Sequence, residues 1–202
     1  MSYAIYKTDA IIARVIPNGE SSLDVVFLTK DLGKITARAQ GTRKIESKMR
    51  MHIKRYSHVT IDAVRGKSVW RLTGISQVAP HKIFANDLFL KSIHRVLRLA
   101  EFLIQGEEPH QELFEFFLKL FSYVDARLSV AAPGEELFQP IDKIEAEGLE
   151  IFGVVQVLEK LGYWEGEKLA ETPTIEILKK CSECKKELVA MINESIGATQ
   201  IV

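Results

Sequence analysis

Between Lys34 and Arg55 the chain sets Lys34, Arg38, Arg43, Lys44, Lys48, Arg50, Lys54 and Arg55 against a single acid, Glu46. Guanidinium and ammonium groups at this density suit one kind of chemistry: they donate charge-assisted hydrogen bonds to phosphate oxygens and release condensed counterions from a polyanion. A solvated face ordinarily mixes both signs, and eight bases to one acid repel one another unless an anion offsets them. Contacts of this kind are salt-dependent and largely indifferent to base sequence. Tyr56 follows Lys54 and Arg55 directly and could stack on an unpaired base, which contributes about 1 to 3 kcal/mol where it happens. Tyr3, Tyr6 and Trp70 are further aromatic candidates, whereas Phe27 lies in an apolar run and reads as core.

The elements that must carry these residues are strands. From Gly33 to Gln40 the alternation is strict, with Ile35, Ala37 and Ala39 on one face and Lys34, Thr36, Arg38 and Gln40 on the other. Thr8 to Ile16, Leu23 to Thr29, Ser57 to Val64 and Ser68 to Val78 are four more β-branched runs. Asn18-Gly19, Asp31-Leu32-Gly33 and Arg65-Gly66-Lys67 mark connections between them. Five short strands suit a five-stranded OB-type β-barrel. An SH3-like barrel or a small sandwich would give a similar count, and the long basic connection after the third strand favours the OB arrangement. The stretch from Gly41 to Lys54 reads as irregular and too polar for a core element.

From Phe84 the period becomes helical. Asn86 is a candidate N-cap for a helix ending at Gly106, and Pro109 opens a second helix with Leu113, Phe116, Phe117, Leu120, Phe121 and Val124 as its apolar stripe. A third helical region spans about Glu135 to Leu161, with breaks expected at Pro140 and Gly148 and Gly162 as its C-terminal cap, and a last helix runs from about Thr174 to Ile196. The reading is an α+β protein, with an OB-fold domain over residues 1–80 and an all-α helical domain for protein interaction over 81–202.

A net charge of zero conceals a dipole between these parts. Residues 1–82 hold fifteen Lys and Arg against six Asp and Glu, a balance of +9, and residues 83–202 carry the compensating −9. A polyanion is drawn to the first part and repelled by the second. Two cysteines, Cys181 and Cys184, form no disulfide framework and suit a reducing cytoplasm. The apolar stretch from Leu149 to Leu158 is far short of the roughly 20 residues a membrane span requires. No catalytic residues are expected: Glu20, Asp24 and Asp31 do not form a two-metal arrangement, there is no Walker-type loop, and His52, His58, His81, His94 and His110 are scattered surface or loop residues without a nucleophile. No cofactor or metal is expected either.

The segment NGESSLDVVFLTKDLGK from Asn18 to Lys34, followed by AQGTRK from Ala39 to Lys44 and then Ser47-Lys48, resembles the N-terminal region of the RecO family of bacterial recombination mediators. The turn, the Thr-x-x-x-Gly strand end from Thr29 to Gly33 and the basic element fall in family-like order over residues 4–78. FGVVQVLEKLGY, Phe152 to Tyr163, is similar to the segment that precedes the family's metal-binding insertion. The resemblance implies a non-enzymatic mediator that binds single- and double-stranded DNA through its OB-fold and anneals strands. It further implies engagement of the acidic tail of single-stranded DNA-binding protein, and help in loading RecA together with RecR. On the matching positions, Arg43, Lys44 and Lys48 correspond to the family's basic element, with Arg38 on the adjoining strand. The four-cysteine zinc module of many members has no counterpart after Tyr163, where only Cys181 and Cys184 occur, so the chain is expected to be a short form.

Lys91, Arg95 and Arg98 fall at i, i+4 and i+7 of the first helix, beside Ile93 and Leu97. Such a stripe could receive an acidic peptide with apolar last residues, as that tail has; pairing with neighbouring acids such as Glu101 is the plainer reading. Two other classes stay open: a sequence-tolerant RNA-binding OB module with a helical interaction domain, and a protein-only scaffold.

Overall fold

The computed structural model describes residues 4–42, 49–67, 69–79, 81–129 and 141–198. The chain gathers into two compact units, one of residues 1–81 with 104–114 and the other of 82–103 with 115–202.

In the first unit five strands form a closed barrel: β1 (Ile5–Asn18), β2 (Ser22–Thr29), β3 (Lys34–Ala39), β4 (His58–Arg65) and β5 (Trp70–Ala79), in the order β1-β2-β3-β5-β4. This is the OB-type barrel that the strand count and the long third connection favoured. β1 pairs antiparallel with both β2 and β4, and a register shift between Ile12 and Arg14 lets one long strand serve two neighbours. Closure comes from a short parallel pairing in which Ala37 faces Trp70 and Arg38 faces Arg71. The inward residues, among them Ile12, Val25, Phe27, Ile35, Ala37, Val59, Ile61, Ala63 and Leu72, form the barrel core.

The β2–β3 turn shows why the Thr-x-x-x-Gly spacing is needed. Thr29 donates its N–H (2.9 Å) and its hydroxyl (2.8 Å) to the Gly33 carbonyl, while the same hydroxyl accepts from the N–H of Leu32 (2.9 Å). Gly33 sits at φ +67°, and a Cβ there would lie 2.6 Å from the carbonyl carbon of Glu107. Only glycine satisfies both the turn and this approach.

In its described part the connection from β3 to β4 is not wholly polar in its role. Thr42 is fully buried, with its hydroxyl donating to the Ala39 carbonyl at 3.0 Å, and Ile53 joins the barrel core. A 3-10 turn, Arg50–His52, precedes Ile53. Tyr56 then takes φ +63° and donates its N–H to the Ile12 carbonyl at 2.7 Å, while Ile12 donates to the Ser57 carbonyl at 3.1 Å.

The second unit is helical: α1 (Asp87–Leu103), the greater part of α2 (Gln111–Ser129), α3 (Lys143–Lys160), α4 (Ile175–Glu183) and α5 (Lys185–Ala198). Asn86 caps α1 by accepting from the Phe89 N–H at 3.0 Å. Phe116, Phe117, Leu120, Phe121 and Val124 are buried, as the periodicity of α2 predicts, and Phe116 meets Phe152 of α3 with ring centroids 6.1 Å apart. Gly148 does not interrupt α3. Its missing Cβ lets the backbone of α4 approach instead, since a Cβ would stand 2.9 Å from the Leu178 Cα. The expected break at Pro140 lies outside the described residues. The predicted single last helix is divided at Cys184, whose N–H donates to the Lys180 carbonyl at 3.0 Å as α4 ends.

The buried ionic cluster of this unit centres on Glu145, which is 3 % exposed. It accepts from the Tyr123 hydroxyl (2.7 Å) and from Arg127 through Nε (2.7 Å) and Nη2 (2.8 Å). Burial and the adjacent carboxylate push the Tyr123 phenol well above its usual range.

Candidate nucleic-acid interface

On β3 the alternation that buries Ile35, Ala37 and Ala39 sends Lys34, Thr36 and Arg38 outward. Lys34 is half-buried and engaged with neighbours. Arg38 donates to Asp24 of β2 through Nε (2.9 Å) and Nη2 (3.2 Å), the two residues standing directly opposite in the ladder. The hydrogen bond from Arg38 holds the Asp24 carboxyl below its ordinary value against the opposing pull of burial, and Asn18 supplies a further donor. Arg71 follows on the other side of Arg38, so the outward row reads Asp24, Arg38, Arg71 across β2, β3 and β5.

Arg50, Lys54 and Arg55 are exposed along the β3–β4 connection. Arg43, Lys44 and Lys48, the expected centre of the interface, lie outside the described residues, as does Tyr3. Among the described residues the barrel unit adds exposed bases beyond the Lys34 to Arg55 run: Lys7, Arg65, Lys67 and Arg71. Their signal in the sequence was the surplus of the whole first part, and the β3–β5 pairing is what sets Arg71 beside Arg38.

The aromatic expectations need correction. Tyr56 is only 5 % exposed, with a left-handed backbone at φ +63°, and offers little open ring for stacking. Trp70 is equally buried. Tyr6 meets it edge-on at 5.3 Å, the Arg65 guanidinium stands 5.8 Å from its ring centre, and its indole N–H donates to Glu107 at 2.9 Å. Phe27 is fully buried in the core, as read. His58 is also no surface residue: it sits in β4 against the edge of Phe114 at 5.9 Å, and burial pushes its pKa down despite Asp9 nearby.

In the second unit Lys91, Arg95 and Arg98 are exposed on one stripe of α1. Arg95 pairs with Glu150 at 2.6 Å and Arg98 with Glu101 at 3.1 Å, which matches the plainer reading of these residues. Ile93 and Leu97 are buried and cannot serve a peptide; the exposed apolar residue continuing the stripe is Phe102, four positions beyond Arg98. Cys181 is buried, and burial raises its thiol pKa, with Cys184 adding to the effect. Among the described residues no group of three or more His, Cys, Asp or Glu is arranged to hold a metal, and no helix is long and apolar enough to cross a membrane.

A closed β1-β2-β3-β5-β4 barrel with a basic outward row, followed in the chain by five helices, defines an OB-fold protein of α+β class. The family model described as Recombination protein O N terminal matches residues 1–81. Among curated proteins the chain is 28% identical over 189 residues to the "DNA repair protein RecO" of Thermodesulfovibrio yellowstonii, covering 91% of this chain and 63% of that protein. It is 27% identical to the protein of the same name from Dehalococcoides mccartyi strain BAV1, with 93% and 64% covered. To the one from Myxococcus xanthus it is 32% identical over 127 residues, covering 60% and 51%. The first 81 residues thus match the N-terminal region of RecO proteins, the chain as a whole is similar to proteins of that name, and it spans between about half and somewhat less than two thirds of the length of these relatives.

Proposed function

We propose that this chain serves DNA repair and recombination as a mediator that makes and breaks no covalent bond. The observation that carries the reading is the concentration of base on one OB barrel: Arg38 and Arg71 adjacent on its outer face, and Arg50, Lys54 and Arg55 exposed on the connection that follows β3. Phosphates of single- and double-stranded DNA neutralise this surface, with Lys34, Arg43, Lys44 and Lys48 contributing. Two strands held on one basic surface repel each other less, so complementary sequences can pair, which is annealing without chemistry. In this reading the chain works in the cytoplasm and assists RecA loading with RecR. The stripe of Lys91, Arg95 and Arg98, ending at Phe102, takes the acidic tail of single-stranded DNA-binding protein. Residues 1–80 carry the DNA function and 81–202 the protein contacts.

The test is affinity for single-stranded DNA across a salt series, in the natural chain and with Arg43→Glu and Lys44→Glu. If about six phosphates are engaged, log affinity falls with log salt at a slope near −4. A flat salt response, or unchanged affinity on charge reversal, overturns the reading. A strong preference for RNA would support the RNA-binding alternative. Unchanged binding of the tail peptide by Arg95→Glu with Arg98→Glu removes the proposed partner site.

A further inference from the structure

The segment between α1 and α2 belongs with the barrel, and it is acidic where it meets it. Gly106 turns the chain at φ +77°, and the backbone of Glu107 and Glu108 then closes on Gly33 at the start of β3. The Glu107 carboxylate is held at both oxygens: Oε1 accepts from the indole N–H of Trp70 at 2.9 Å, and Oε2 lies 3.1 Å from Nη2 of Arg65. Arg65 is at the end of β4 and Trp70 at the start of β5, paired with each other in the ladder. Trp70 is in turn the Cα partner of Ala37, next to Arg38 opposite Arg71. A guanidinium and a fixed N–H donor converging on one anion make a notch with the donors a phosphate requires.

We propose that Trp70 and Arg65 form a phosphate subsite of the barrel that the chain's own Glu107 occupies in the absence of nucleic acid, so that a backbone phosphate must displace this carboxylate to bind. The proposal rests on the reading of the barrel as a nucleic-acid binder and adds to it a built-in competitor. The ion pair to be displaced is cheap to lose, since Arg65 is 66% and Glu107 41% exposed, and exposed pairs contribute little in salt. Trp70 stays buried throughout; only the partner of its N–H changes.

The test measures binding of single-stranded oligothymidylate by fluorescence anisotropy across a salt series. Glu107→Gln keeps an acceptor for Trp70 and removes the charge. It is expected to tighten binding about three- to ten-fold at low salt and to steepen the salt slope by about 0.7, one added phosphate contact. Glu108→Gln removes the same charge one residue away from the notch and is expected to give less than half of that gain. Arg65→Gln is expected to change the natural chain little and to erase the gain of Glu107→Gln. Equal effects of the two glutamine variants, or the same loss from Arg65→Gln in both backgrounds, reduce Glu107 to a general charge and overturn the proposal. Unchanged affinity with a lowered melting temperature makes it a structural staple and also overturns it. Both results leave the DNA reading standing provided Arg43→Glu with Lys44→Glu weakens binding. Absence of binding by every variant at low salt removes the reading and the proposal together. As an independent measurement, Trp70 emission is followed in a Trp164→Phe chain, in which Trp70 is the remaining tryptophan. Saturating oligonucleotide is expected to shift it in the Glu107 chain and much less in Glu107→Gln, and a silent Trp70 in the Glu107 chain overturns the proposal.

Discussion

Replacing Gly33 by alanine separates two demands that this turn makes on one residue. The first is conformational: Gly33 is at φ +67°, where a Cβ costs about 1 to 2 kcal/mol. Alanine recovers about 0.4 to 1 kcal/mol of that by restricting the unfolded chain. Gly19 at φ +62° and Gly41 at φ +68° share this demand alone, since a Cβ at either meets nothing within 4 Å. Gly19→Ala and Gly41→Ala are therefore expected to cost about 0 to 1.6 kcal/mol each. At Gly33 the new methyl also collides with the backbone of Glu107 and Glu108, neither of which can rotate away. The segment must lift, and with it goes the hydrogen bond between Trp70 and the Glu107 carboxylate, worth about 1.5 to 3 kcal/mol for a charged acceptor. The exposed pair with Arg65 adds at most about 1 kcal/mol. Gly33→Ala should thus destabilise the first unit by about 1.5 to 5.5 kcal/mol in all. The assay is urea unfolding followed by Trp70 emission in a Trp164→Phe background, so that the reporter belongs to the barrel. Equal losses for Gly33→Ala and Gly19→Ala would refute the reasoning, because they would show that backbone conformation alone sets the cost.

Glu145→Ala leaves the buried Arg127 without its two-point partner and should cost about 3 to 5 kcal/mol, read by chemical denaturation with Trp164 as the reporter of the second unit. Burial lowers the His58 pKa, so below about pH 6.5 the unfolded chain takes up a proton that the folded chain resists; stability is full above that pH and declines as pH falls. Thermal melting of the natural chain between about pH 7.5 and 5 should show this slope, and His58→Gln should flatten it. Thiol labelling of the native protein should modify the half-exposed Cys184 well before Cys181, whose side chain is buried and whose thiol pKa is raised; equal rates would contradict the packing at the α4 end.

What was legible in the sequence is what repeats locally. The period-two pattern of β3, the Asn86 cap and the stripe of α2 each depend on neighbours a few residues away, and each appears where expected. What was not legible depends on partners far along the chain. The parallel β3–β5 pairing leaves no mark on either strand, yet it decides that Arg71 joins Arg38. The burial of Tyr56 runs against its basic flanks and accompanies a left-handed backbone whose N–H donates to the distant Ile12 carbonyl. Gly106-Glu107-Glu108-Pro109 has the composition of a solvated loop, and its place against Gly33 and Trp70 could not be read from that composition. The helix break at Cys184 carries no glycine or proline and had no local signal at all.

These long-range contacts also redistribute the basic run that dominates the sequence. Arg38, on the strand, is held by a two-point bond to Asp24 that a phosphate would have to share or break. The bases on the connection stand under a different constraint. Thr42, Ile53 and Tyr56 are buried on the connection, while Arg50, Lys54 and Arg55 stay exposed beside the latter two. Buried neighbours such as Ile53 and Tyr56 lower the ordering entropy that binding through Arg50, Lys54 and Arg55 must overcome, without neutralising their charge. In the proposed function the strand would then supply register and a polarised Asp24-Arg38-Arg71 row, and the connection the larger share of net attraction for a polyanion. On this division, truncating the connection's bases should lower the salt slope, whereas Arg38→Gln should act mainly on the geometry of the bound strand.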